Sequence, residues 1–386
     1  MLRLVAKVRF VEKVVKSMKS ERKHYLDNIR WLTVVIVVLY HVIYMYSEID
    51  NPGVVGKITN LDVQYYDVFQ YAVYPWFMML LFMVAGISSK LYLDGHTEKE
   101  FAKSRTTKLL VPSTIGLFAF GFLQCYVNAT IAGALGDLSN LPIIVRYLIF
   151  VVSGIGVLWF IQELWLNSMV LLLIRKIEKG KLLAACGKLS ERAALAFVLL
   201  LFIPTFGAAQ ILNTPVICVY RIGLYLFVFL LGYFVLSQDA VIEALKRWFL
   251  VFAIPALGLG IAFCKIYFGQ IYANKPVYQT LLFVAFGYFT SIAILGGMAR
   301  YGDFCNSFTA WMSKRNFGLY LFHYLGISAI GLYLARPKLV SAPVAYLLSL
   351  IAGFTFGYIL PAIISRIPFL RWAILGIQKE KKDVQG

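Results

Sequence analysis

Residues 30–41 read RWLTVVIVVLYH: an arginine, ten residues that are almost all apolar, and a histidine. A run of that composition has the character of a membrane-spanning helix. At 3.6 residues per turn, the step from Arg30 to His41 is close to three whole turns, so the spacing predicts both side chains on one face, roughly 16 Å apart along the axis. Ionisable groups at membrane depth are costly and usually face a bundle interior or a wet cavity, which makes this stripe a candidate site. Asp27, one turn before Arg30, falls on the same face. Burying a charge is expensive there, so His41 is read as a neutral imidazole able to accept a proton, as a general base must. An arginine at a cytoplasmic helix end also serves as a headgroup anchor, and that role stays open for Arg30.

The rest of the chain extends the same reading. Of its 386 residues 60% are hydrophobic and 16% aromatic, and the mean hydropathy is +0.76. Those values place it among polytopic membrane proteins. The formal net charge of +18 would suggest nucleic acid in a soluble protein. Here lysine and arginine collect between apolar runs, so membrane lipids are the expected partners and nucleic acid is not. Ten runs are long enough to cross a bilayer: Arg30–Tyr46, Ala72–Leu93, Leu109–Ile131, Val157–Ile174, Ala194–Leu212, Val216–Leu236, Trp248–Phe268, Val277–Met298, Phe317–Leu334 and Val344–Ile364. The shorter run Ile143 to Val152 is read as re-entrant, interfacial, or the start of a long fourth span.

Every second connection is basic, including Gly95 to Lys108, Arg175 to Arg192, Lys246 with Arg247, and Lys314 with Arg315, whereas the first alternate loop carries Glu48, Asp50, Asp62 and Asp67. Cytoplasmic loops hold the positive excess, so both termini are expected in the cytoplasm. The expected fold is an all-α polytopic transmembrane helix bundle of about ten spans in a cell membrane. Residues 1–28 are read as a basic amphipathic segment on the cytoplasmic surface, 29–366 as the bundle and 367–386 as a basic cytoplasmic tail. The amino terminus lacks a small-residue cleavage site and does not read as a signal peptide.

Other polar residues stand out against the apolar background. His323 lies in NFGLYLFHY, with Asn316 and Tyr320 at helical spacing toward one face, and packing in the core is the competing role. The run LWFIQELWLN sets Gln162, Glu163 and Asn167 among tryptophans. A membrane carboxylate such as Glu163 must be protonated or paired, with a histidine or arginine of another helix as candidate. In FAKSRTTKLLVP, Arg105 and Lys108 stand one turn apart just ahead of a span and suit a phosphate or pyrophosphate, and equally an anionic lipid. Gln124, Asn128 and Arg221 are further candidates for lining a cavity. The five cysteines, Cys125, Cys186, Cys218, Cys264 and Cys305, are scattered singly, so neither a disulfide framework nor a metal site is expected. No P-loop, GxGxxG, HExxH or GxSxG occurs, the last because GISSK at Gly86 to Lys90 lacks its closing glycine.

The stretch YLDNIRWLTVVIVVLYH from Tyr25 to His41 resembles the opening pattern of the acyltransferase-three family of integral membrane acyltransferases, an aspartate, an arginine, ten residues and a histidine. FMVAGISSKLYL, FAKSRTTKLLVP, GVLWFIQELW, YLFVFLLGYF and FGLYLFHY resemble later family elements in the same order, from about Tyr25 to Ile364. Lys108 replaces the second arginine of the family's RxxR, keeping the charge but losing the fork geometry. The resemblance implies ten core helices and acyl-CoA, acetyl-CoA above all, as a cytoplasmic co-substrate without a metal. It implies a carbohydrate or small-molecule hydroxyl acceptor at the outer side, with Arg30, His41 and Arg105 essential and Lys108 less securely so.

The resulting expectation is O-acyl transfer to a hydroxyl of a cell-envelope glycan or related acceptor. His41 would take the hydroxyl proton, Arg30 would orient the histidine or the donor, and Arg105 with Lys108 would grip coenzyme phosphates. Asp27, Glu163 and His323 complete the candidate catalytic set. The rival is a proton-coupled secondary transporter with His41, Glu163 and His323 as a relay, although no paired broken helices mark two symmetric halves.

Overall fold

A bilayer offers no water to the peptide groups, so each long apolar run satisfies its own backbone as a helix. The computed structural model describes residues 22–49, 51–214, 220–270 and 277–378. Most of the expected amino-terminal surface segment, together with Asp50, Cys218 and the tail from residue 379, lies outside the described residues. In chain order the helices are α1 (His24–Met45), α2 (Tyr65–Leu93), α3 (Glu98–Ala132), α4 (Ile143–Ser153), α5 (Gly156–Glu178), α6 (Lys181–Leu200) and α7 (Phe202–Ala208). They continue as α8 (Ile222–Leu236), α9 (Asp239–Trp248), α10 (Leu250–Tyr267), α11 (Leu281–Tyr301), α12 (Ser307–Ala335), α13 (Ala342–Ile364) and α14 (Pro368–Leu375).

Eight of these helices are long and apolar enough to cross a membrane. The total is ten when α6 with α7, bent by 45°, and α8 with α9, bent by 98°, each count as one span. The sharper bend has a local cause. Asp239 opens α9, whose Val241, Ile242 and Leu245 are buried while Glu243, Arg247 and Trp248 are exposed. That amphipathic pattern turns the chain across the end of the bundle instead of letting it continue. The apolar run at Ile143 is a separate short helix.

Burial ranks the spans. Inside the bundle lies 83% of the apolar window of α2, against 67% for α12, 61% for α11 and only 22% for α10 and for α13. The central position of α2 depends on small residues, because lipid tails compete with any purely apolar contact and close backbone approach is what remains. A Cβ at Gly86 would stand 2.0 Å from the Phe229 carbonyl oxygen of α8, and one at Gly232 would stand 2.2 Å from the Met83 carbonyl oxygen. The two backbones therefore touch, two and three residues before Ser88 and Ser89 of α2, which meet α1 and α3. α1 packs on α2, α11, α12 and α13.

Candidate active site

His41 sits three turns into α1 from Arg30, and its ring turns toward α12. The Nδ1 of His41 lies 2.9 Å from the Val37 carbonyl oxygen and 3.1 Å from the Nε2 of His323. The Nδ1 of His323 in turn lies 3.0 Å from the Leu319 and 2.9 Å from the Tyr320 carbonyl oxygens. Carbonyl oxygens only accept, so both Nδ1 atoms carry the proton and donate. The Nε2 of neutral His323 is then a bare lone pair that accepts from the His41 Nδ1–H. The same proton count leaves the Nε2 of His41 unprotonated and available as a base. Tyr40, Tyr44 and Tyr324 hold the His41 ring edge-on, with centroids 5.4, 6.1 and 5.1 Å away. His323 is fully buried, whereas His41 keeps part of its surface open.

Arg30 occupies the other end of the stripe. Its guanidinium pairs with Asp27 at 2.6 Å and donates to the Ser88 hydroxyl on α2. Arg105 of α3 donates to the adjacent Ser89 at 3.2 Å and lies over the Phe101 ring at 4.9 Å. Each serine hydroxyl donates to the carbonyl four residues back, Ser88 to Val84 and Ser89 to Ala85, which leaves a lone pair aimed at its guanidinium. Ser88 and Ser89 thus bring one guanidinium from α1 and one from α3 to neighbouring positions of α2. Among the described residues no carboxylate stands within ion-pair distance of Arg105. Asp27 also pairs with Arg22 at 2.7 Å, so among the described residues Arg30 has a carboxylate partner and Arg105 has none.

Several expected relations take a different form. Arg30 does not reach the histidine: its partners are Asp27 and Ser88, and His323 is the residue that holds His41. Lys108 is exposed and does not join Arg105, because residues Thr106–Leu110 form a π-helical turn that breaks the expected one-turn spacing. Glu163 is buried on α5 with neither carboxylate oxygen hydrogen-bonded, and the charge that acts on it is Arg221. Arg221 itself is buried against Tyr74, Tyr225, Tyr278 and Phe283. No hydrogen bond joins Glu163 to the histidine pair. Asn167, one turn further along, is buried with both amide atoms unpartnered. Gln124 ties Asn128 at 2.9 Å and Ser328 at 3.0 Å, a clasp between α3 and α12. The residues that sequence reasoning missed are Ser88 and Ser89, whose only signal was their place in an otherwise apolar span, and the tyrosines around His41. Among the described residues no group of three or more His, Cys, Asp or Glu side chains gathers as metal ligands would, and the four described cysteines are unpaired.

The bundle defines a multi-pass integral membrane protein, with the histidine pair buried between α1 and α12. Residues 23–365 match the model of the family described as an acyltransferase domain, and the chain belongs to that acyltransferase-three family. It is a membrane acyltransferase. No curated protein and no solved structure gives a match.

Proposed function

We propose that this protein moves an acyl group other than an aminoacyl group, acetyl above all, from cytoplasmic acyl-CoA to a hydroxyl of a cell-envelope glycan or a related small-molecule acceptor. The observation that carries the reading is the 3.1 Å contact between His41 and His323. It joins helices remote in sequence and leaves the His41 Nε2 bare inside a tyrosine-lined cup. His41 removes the acceptor's hydroxyl proton as the oxygen forms its bond to the acyl carbon. The carbon–sulfur bond breaks, and the same imidazole returns the proton to the departing sulfur. Acyl-CoA supplies the activated thioester carbon.

His323 accepts from the His41 Nδ1–H throughout, which holds the productive tautomer and favours the imidazolium that forms in the transition state. Arg30 and Arg105 fit the donor's phosphates, because Arg105 has hydrogen-bond and ring partners but no carboxylate to neutralise it. Lys108 is a weaker candidate for that grip because it is exposed elsewhere on the helix. The roughly 16 Å between Arg30 and His41 along the axis suits a donor gripped by its charged end while its thioester reaches inward. Enclosure among helices holds the reactants together and keeps water from the thioester. The basic connections at the Arg30 end support a cytoplasmic entry for the donor. The transporter alternative gains no support from a relay, since no hydrogen bond joins Glu163 to the histidine pair.

Membranes containing the protein or its His41→Ala variant can be given acetyl-CoA labelled in the acetyl group. The expected result is label in an acceptor with the native protein and a fall of about a hundredfold or more with the variant. Equal labelling overturns the reading.

A further inference from the structure

At the end of the bundle where α1 begins, α9 and the close of α11 form an open groove of about 640 Å³, lined by Glu243, Ala244, Lys246, Arg247 and Trp248 of α9 and by Arg300 of α11. Its place follows from contacts with α1. Lys23, just before α1, pairs at 2.9 Å with Asp239, the first residue of α9. Asn28 of α1 donates to the carbonyls of Gly302 at 2.7 Å and Phe304 at 2.9 Å, just past α11. Arg300 donates to the Lys246 carbonyl at 3.3 Å and so joins the two walls.

The charge of this groove is unbalanced. Lys246 pairs with Glu243 at 2.7 Å, and those two cancel. Arg247 and Arg300 remain, and among the described residues neither has a carboxylate within ion-pair distance. Each guanidinium lies over an exposed ring instead, Arg247 over Trp248 at 5.3 Å and Arg300 over Tyr301 at 5.0 Å. A guanidinium resting on a ring keeps the N–H groups of its edge available to an anion. Tryptophan and tyrosine beside arginine are also the residues that settle at the headgroup level of a bilayer. Two residues beyond Trp248 the chain enters α10, where Leu250, Ile254, Leu257 and Ile261 are all exposed. Their spacing puts them on one side of the helix as an apolar stripe. Uncompensated cations and a stripe of exposed apolar side chains therefore follow one another directly along the chain.

We propose that this groove binds an anionic phospholipid, with the headgroup phosphate held by Arg247 and Arg300 and an acyl chain laid along the exposed stripe of α10. The stripe makes the partner a lipid and not a soluble phosphate. A zwitterionic lipid fits worse, because its own cation meets two guanidiniums. The walls of the groove also hold the first turns of α1 through Asp239 and the Gly302 and Phe304 carbonyls, so an occupied groove steadies the end of the bundle at which Arg30 stands. None of this depends on the acyl-transfer reading.

The test uses the full chain in a non-ionic detergent, with native mass spectrometry and the thermal midpoint as readouts and three probes: dioleoyl phosphatidylglycerol, dioleoyl phosphatidylcholine and glycerol 3-phosphate. Phosphatidylglycerol is expected to add as a bound mass and to raise the midpoint, and the other two to do neither at the same concentration. Arg247→Gln and Arg300→Gln, both at exposed positions, each weaken its binding by about tenfold, the worth of one charge-assisted hydrogen bond. Glu243→Gln releases Lys246 and tightens binding by about threefold. Lys188→Gln, at an exposed position of α6, leaves it unchanged. Phosphatidylcholine or glycerol 3-phosphate binding as tightly as phosphatidylglycerol, unchanged binding in both arginine variants, weaker binding in Glu243→Gln, or an equal loss in Lys188→Gln overturns the proposal.

Discussion

His41 depends on a partner that stands 282 positions away in the chain, and the chemistry of the pair follows from which nitrogen each backbone carbonyl engages. If His323 acts by accepting the His41 Nδ1–H, a side chain with a carbonyl oxygen in its place preserves the function in part. His323→Gln is expected to retain most of the transfer rate, whereas His323→Phe lowers kcat at least about tenfold with little change in KM for acyl-CoA. Equal losses in the two variants would mean that His323 serves only to pack. The basic end makes a second contrast. Arg105→Gln removes a charge-assisted contact and is expected to raise KM for acyl-CoA by about ten- to a hundredfold, whereas exposed Lys108→Gln changes it little. Steady-state kinetics on purified protein separates the two. The Arg30–His41 stripe and the Asp27 pair are legible in the sequence because their relation is local and periodic. The histidine pair is not, since no periodicity links α1 to α12. Nor is the exposure of Lys108, because a π-turn has no composition that marks it.

Among the elements, α2 and α8 carry the positioning of the basic end through the contact of Gly86 with the Phe229 carbonyl. Any side chain at Gly86 must push the two backbones apart. Gly86→Val is expected to destabilise the bundle by about 3 kcal/mol, read as a lowered thermal midpoint in detergent. Gly95→Val, where nothing lies within 4 Å, leaves that midpoint unchanged. An unaltered midpoint in Gly86→Val would contradict the account of this contact. Most span positions are readable from apolar length alone, and α13 begins and ends within two residues of expectation. Where polar residues continue a helix, length misleads: α3 starts at Glu98, well before its apolar stretch, because Thr97 and Glu100 form a capping box. The α9 helix escaped the reading for a related reason, since its alternation of buried Leu245 with charged neighbours looks like a loop when only long apolar runs are sought.

At the scale of the whole molecule, Arg30 and Arg105, held at Ser88 and Ser89, lie toward one end of α1, and the histidine pair lies eleven residues further along it. Composition alone shows a multi-pass bundle, and the alternation of basic loops suggests which end faces the cytoplasm. The order of helices around α2 is set by small-residue contacts between distant segments, which leave no trace in hydropathy. If Arg30 and Arg105 grip the donor as proposed, the donor works only from the face on which they lie. The direct test gives labelled acetyl-CoA to sealed membrane vesicles of either orientation, containing the native protein or His41→Ala. The account predicts labelled acceptor only in inside-out vesicles bearing the native protein. Equal labelling in right-side-out vesicles, or undiminished labelling by His41→Ala, would contradict it.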